Sequence, residues 1–100
     1  MRVHWLDDAR GDLRHIGRYI AMDRPTVAKD VMARIRRAAS GLGRNPGLGR
    51  SGAVLGTREL VVPGLPYVIV YRVRDPMVEI LWVIDGRQDW PRSFDVGSRV

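Results

Sequence analysis

Five consecutive residues, Tyr67-Val68-Ile69-Val70-Tyr71, put apolar side chains on both sides of an extended backbone. Successive side chains of a strand point to opposite faces, so such a run belongs in the middle of a sheet rather than at its margin. It predicts the central strand. β-rich runs flank it at residues 57–62 and 77–84, set off by the turn formers Pro63-Gly64-Leu65-Pro66 and Arg74-Asp75-Pro76. Three such runs in succession predict an antiparallel meander. In the last run Val78, Ile80, Trp82 and Ile84 alternate with Met77, Glu79, Leu81 and Val83, and Glu79 marks the more exposed side.

Ahead of the strands the period changes. Ala9, Leu13, Ile16 and Ile20 are spaced by four, three and four, one face of a helix whose first turns hold Asp7, Asp8 and Asp12. Asp23-Arg24-Pro25 breaks that helix, and Pro25 suits the first position of another. There Val27, Val31, Ile35, Ala38 and Leu42 share one side with Ala28, Met32 and Ala39, and Lys29, Arg36, Arg37 and Arg44 lie opposite. The short link predicts a helical hairpin, and Gly41, Gly43, Asn45-Pro46 and Gly47 end it. Val3-His4-Trp5 is a short strand at the start, and residues 46–56 are a glycine-rich loop. The order β-α-α-β-β-β predicts an α+β fold, two helices packed on one face of an antiparallel sheet.

One hundred residues give one domain, predicted over residues 1–91 with a polar tail at 92–100. A hydrophobic share of 45% beside a charged share of 28% excludes a disordered chain. Cysteine is absent, which removes disulfides, thiolate zinc sites and thiol nucleophiles. No apolar run approaches the ~18 residues of a membrane span, so a cytoplasmic protein without membrane contact is expected.

The net charge of +6 is concentrated. Lys29, Arg34, Arg36, Arg37, Arg44 and Arg50 against Asp30 place +5 within residues 25–50, which points an anionic partner there. No phosphate-binding loop or serine elbow occurs, and Asp8, Asp12 and His15 on one helix face read as solvated surface rather than a metal site. Neither cofactor nor metal is expected. The remaining polar set lies on and after the strands: Arg58, Glu59, Arg72, Asp85, Arg87 and Gln88.

These residues carry a resemblance. Asp12-Leu13 through Tyr19-Ile20-Ala21, Asp23-x-Pro25, Pro46-x-x-Gly49-Arg50-x-Gly52, the segment from Gly56 to Val62, the segment from Pro66 to Val73, and Gly86-Arg87-Gln88-Asp89-Trp90-Pro91 resemble the ParE/RelE toxin superfamily of type II toxin–antitoxin systems. The resemblance implies the same β-α-α-β-β-β plan. It also implies neutralisation by a cognate, ParD-like antitoxin with an acidic C-terminal segment, in a hetero-oligomer. Where many members have a histidine, this chain has Asp85, and where many have an arginine in the central strand it has Val68. A carboxylate with an ordinary pKa of about 4 is a poor base for cleaving RNA. The departures favour the ParE-like branch, which inhibits DNA gyrase by binding it, with no catalytic residue. The alternatives are a ribosome-dependent mRNA endoribonuclease of the RelE type, for which Arg58, Arg72, Asp85 and Arg87 would serve, or a non-toxic relative that only binds antitoxin. The expected antitoxin surface comprises Trp5, Leu13, Tyr19, Arg36 and Arg37. The expected target surface comprises Arg87, Trp90 and Arg92, because aromatic and arginine side chains dominate binding hot spots. Trp90 could equally fold back on the core. Direct DNA binding by the chain alone is not expected.

Overall fold

The helical face read from the sequence is the one that packs. The computed structural model describes residues 1–87, in which β1 (Arg2–Trp5) leads into α1 (Asp7–Ala21) and α2 (Pro25–Gly41). Ala9, Leu13 and Ile16 of α1 and Ala28, Val31, Ile35 and Ala39 of α2 are buried. Pro25 opens α2 at its first turn, where the missing N–H costs no hydrogen bond. Gly17 faces α2 so closely that a Cβ there would run into the Met32 thioether. Val27 departs from the expected face: it is 42% exposed, although its neighbour Ala28 is buried.

The chain continues through β2 (Arg50–Ser51), β3 (Arg58–Val61), β4 (Tyr67–Arg74) and β5 (Met77–Asp85). The five strands form one sheet in the order β1-β5-β4-β3-β2, so the apolar run at 67–71 does occupy the middle strand. The turn from β3 to β4 follows its residues: Gly64 takes φ +74° after Pro63, and the Leu65 N–H donates to the Val62 carbonyl, a type II turn. β2, a two-residue strand inside the glycine-rich loop, has too little length to leave a periodic signal.

Two expectations need correction. The sheet is mixed, not wholly antiparallel: β1 runs parallel to β5, with Val3 opposite Val78 and Trp5 opposite Ile80. The meander is antiparallel as expected, but an N-terminal strand takes its direction from whichever strand it joins, and no local residue encodes that choice. The second correction concerns faces. In β5, Val70 lies opposite Trp82 while Tyr71 lies opposite Ile80, so Leu81 is an extra residue without a partner of its own. Such a bulge reverses the alternation. Val78 and Ile80 therefore join Val83 under the helices, whereas Trp82 and Ile84 join Val68 and Val70 on the other face.

The sheet consequently has two apolar faces. The larger cluster sets Leu13, Ile16, Val31, Ile35 and Leu42 against Ile69, Tyr71, Val78, Ile80 and Val83. Each such side chain contributes about 1.5–3 kcal/mol through burial. The smaller cluster, with Leu6 packed on it, lies on the helix-free face. Beyond the end of β1, the Asp12 carboxylate accepts the Val83 N–H at 3.0 Å and so takes up a donor of β5.

Candidate functional site

Polar groups gather in four places, and the first is structural. Gly49 sits so close to β3 and β4 that an added Cβ would lie 2.7 Å from the Tyr71 hydroxyl and 2.8 Å from the Glu59 carbonyl. The Gly49 N–H donates to that hydroxyl at 2.8 Å, and the hydroxyl donates to the Pro46 carbonyl at 2.8 Å. Arg58 donates to the Gly49 carbonyl at 2.8 Å. Glu59, only 5% exposed, accepts from the Ala53 N–H at 2.8 Å and from Arg50 at 3.3 Å. The Pro46-x-x-Gly49-Arg50 motif thus ties the loop to the sheet.

A second set marks one end of the strands. Arg87 clasps Asp85 through two side-chain bonds, at 3.0 and 2.7 Å, and its backbone N–H adds a third at 2.9 Å. These bonds hold the Asp85 carboxyl below the usual carboxylate range against the opposing effect of burial. Tyr67, opposite Asp85 in the ladder, is pushed up by burial first and by the Asp85 charge second. Tyr19 of α1, 71% exposed, adds a smaller effect of the same sign.

On the helix-free face, Glu79 accepts from Arg72 Nε at 2.7 Å and lies 3.7 Å from Arg74. The Arg72 hydrogen bond holds the Glu79 carboxyl below its ordinary range; burial opposes, and Arg74 and His4 assist weakly. Beside this pair opens a cleft of about 480 Å³ lined by Leu6, Val54, Thr57, Arg72, Leu81 and Trp82. Leu55, 99% exposed, stands on its rim. These residues come from four separate stretches of chain, so no local spacing announces the cleft.

The fourth place is the outer edge of β1. A groove of about 600 Å³ runs between that strand and the helices, lined by Val3, Trp5, Leu13, Arg10, Arg14 and Arg36. Three of the five residues expected to meet an antitoxin, Trp5, Leu13 and Arg36, come together here. Leu13, 6% exposed, serves as its floor. Tyr19 and the exposed Arg37 lie outside the groove lining. Arg10 and Arg14 belong to a segment, residues 6–24, whose four arginines balance four aspartates, so charge counting does not single them out.

The strand set Arg58, Arg72, Asp85 and Arg87 does not converge. Arg58 lies opposite Tyr71 in the ladder, on the helix side, whereas Arg72 points to the other face. Asp85 lies opposite Tyr67, five residues along β4 from Arg72, about 17 Å at ~3.4 Å per residue. Of the expected target surface only Arg87 is among the described residues; Trp90, Arg92 and the tail at 92–100 lie outside them. Among the described residues no group of three or more histidine, aspartate or glutamate side chains is placed to hold a metal, and no helix is long and apolar enough to cross a membrane.

Comparison with known proteins gives a consistent picture. The Y4kP protein of Sinorhizobium fredii is 45% identical over 92 residues, 91% of this chain and 94% of the relative. Toxin RelE2 of Caulobacter vibrioides is 40% identical over 80 residues, 80% of this chain and 89% of the relative. Among solved structures, the chromosomal ParDE toxin–antitoxin system of P. aeruginosa superposes with a TM-score of 0.78 at 26% identity, covering 85% of this chain and 95% of the other. The toxin–antitoxin complex RelBE2 of Mycobacterium tuberculosis gives 0.56 at 25% identity, covering 84% and 88%. Residues 3–90 match the family profile described as the ParE toxin of the type II toxin–antitoxin system parDE, and the chain belongs to that family.

Proposed function

We propose that this ParE-family toxin acts by binding DNA gyrase rather than by cutting RNA, and that a ParD-like antitoxin neutralises it. The observation that carries the reading is the state of Asp85. RNA cleavage needs a group able to take a proton from the attacking ribose hydroxyl near neutral pH. The carboxylate at this position instead accepts three bonds from Arg87 and is held below its ordinary pKa, so it is a weaker base than a free aspartate. Arg72 and Arg58, which would have to stabilise the cleaved phosphate, are engaged with Glu79 and the Gly49 carbonyl. The proposed target surface comprises Arg87 with Trp90 and Arg92, which follow it in the sequence.

The test is expression of the chain alone in a bacterium. Growth arrest with DNA damage signalling and altered supercoiling, while translation continues, is the expected outcome. Messages cut at fixed positions on the ribosome, disappearing with Asp85→Ala, would establish the endoribonuclease instead. Absence of any growth defect from a soluble, folded product would leave only antitoxin binding.

A further inference from the structure

We infer that residues 88–100 turn back along the helix-free face of the sheet and seat the Phe94 ring in the cleft beside Trp82. The chain's own segment thereby fills the cleft, whatever the toxin's target.

The helix-free face is too dry for an open one. Val68, Val70, Trp82 and Ile84 are at most 6% exposed, although both helices pack on the opposite side. Among the described residues, Leu6 is the partly buried apolar side chain that packs on this cluster. Leu6 follows Trp5, which lies level with Ile80. It therefore cannot shield Ile84 and its partner Val68, which stand four residues further along β5. Apolar side chains so far removed from water need a cover from elsewhere in the chain.

The way the backbone leaves β5 points to that cover. The Gly86 N–H donates to the Pro66 carbonyl at 2.7 Å, and a Cβ on Gly86 would lie 3.0 Å from Val68 Cγ2. The chain thus departs in contact with the helix-free face. Residues 88–100, which follow the described part, include Trp90, Phe94 and Val96. Trp82 lies five residues back from Arg87, about 17 Å at ~3.4 Å per residue. A reversal at Gln88-Asp89 returns Trp90 beside Arg87 and brings Phe94 level with Trp82. There the cleft of about 480 Å³ offers Leu6, Val54, Leu81 and Trp82 to an aromatic ring. A tethered segment meets it at an effective concentration on the order of millimolar, ahead of a free partner. A second copy fits less well, since it sets another net charge of +6 against this one. Seating Phe94 also holds Trp90 and Arg92 next to Arg87, where the target surface is proposed.

Nuclear Overhauser contacts in the full chain test the placement. Phe94 ring protons should contact the methyl groups of Leu6, Val54 and Leu81, and Phe94→Ala should remove the ring-current shifts of those methyls. The methyl signals of Val31 and Ile35, under the helices, should keep their positions and so report an intact fold. Absence of the contacts in the parent, or cleft methyls that Phe94→Ala leaves unmoved, overturns the inference. Contacts from Trp90 in place of Phe94 overturn it too. In a mixture of labelled and unlabelled protein, contacts that run only between copies show that a second copy fills the cleft, and the inference falls.

Discussion

Arg58 and Arg36 carry the same side chain to opposite ends. Arg58 sits part-buried where β3 meets the glycine loop and donates at 2.8 Å to the Gly49 carbonyl, within a network that includes Tyr71, Pro46 and Glu59. Arg36 stands exposed at the β1 groove with no counter-charge among the described residues. In the loop, polar groups find short partners inside the chain. At the edge, backbone groups and cations face outward together. A motif that makes the family recognisable thus need not be the part that meets the partner.

The comparison can be broken most severely in the loop. Gly49→Ala should cost about 3 kcal/mol, since the new methyl group meets backbone and a fixed hydroxyl rather than a movable chain end. Urea unfolding measures it; a midpoint like that of the parent would show that the loop yields easily. Tyr71→Phe should cost about 2 kcal/mol, because the buried Gly49 N–H loses its acceptor. Thermal melting of this variant gives the second value.

A smaller effect follows from Glu79 and Asp85, whose folded pKa values lie below their unfolded ones. The unfolded chain takes up protons first as pH falls, so the stability these groups contribute is present above pH ~4 and is lost through the folded pKa values below it. Glu79→Gln removes one of the two shifts, and the decline of melting temperature in acid should be shallower than in the parent. An unchanged acid profile would mean the Arg72 bond adds nothing to folding.

On the helical side, Arg36→Glu should slow antitoxin association more than Arg37→Glu, because only Arg36 lines the groove. Both should leave stability within about 0.5 kcal/mol. Equal effects on association would return the docking face to the outer surface of α2 as a whole.

How far the sequence reveals this depends on the range of each signal. The α1 face and the strand at 67–71 follow from spacing within one element, and both occur as read. The side alternation after Ile80 is hidden, because the bulge at Leu81 arises from pairing with β4 and leaves no mark in β5 itself. The direction of β1 is hidden for a similar reason. Gly49 is visible as part of a motif, but its cause, a hydroxyl 22 positions away, is not. Charge counting points to residues 25–50 and so finds Arg36, yet it passes over Arg14, which joins Arg36 only once α1 and α2 stand beside β1. The Asp85–Arg87 clasp is two residues long and local, whereas the dispersal of Arg58 and Arg72 to opposite faces requires the register.

The proposed division between a loop whose polar groups hold the fold and an edge whose arginines would meet an antitoxin is tested most directly by two variants measured side by side. Melting temperature and the antitoxin association rate at low salt should be determined for Tyr71→Phe and for Arg14→Glu with Arg36→Glu. The account predicts that Tyr71→Phe melts lower while the protein still folded associates at the parent's rate. The double reversal should melt as the parent does and associate on the order of tenfold more slowly. An unchanged association rate for the double reversal, or a loss of melting temperature as large as that of Tyr71→Phe, would contradict it.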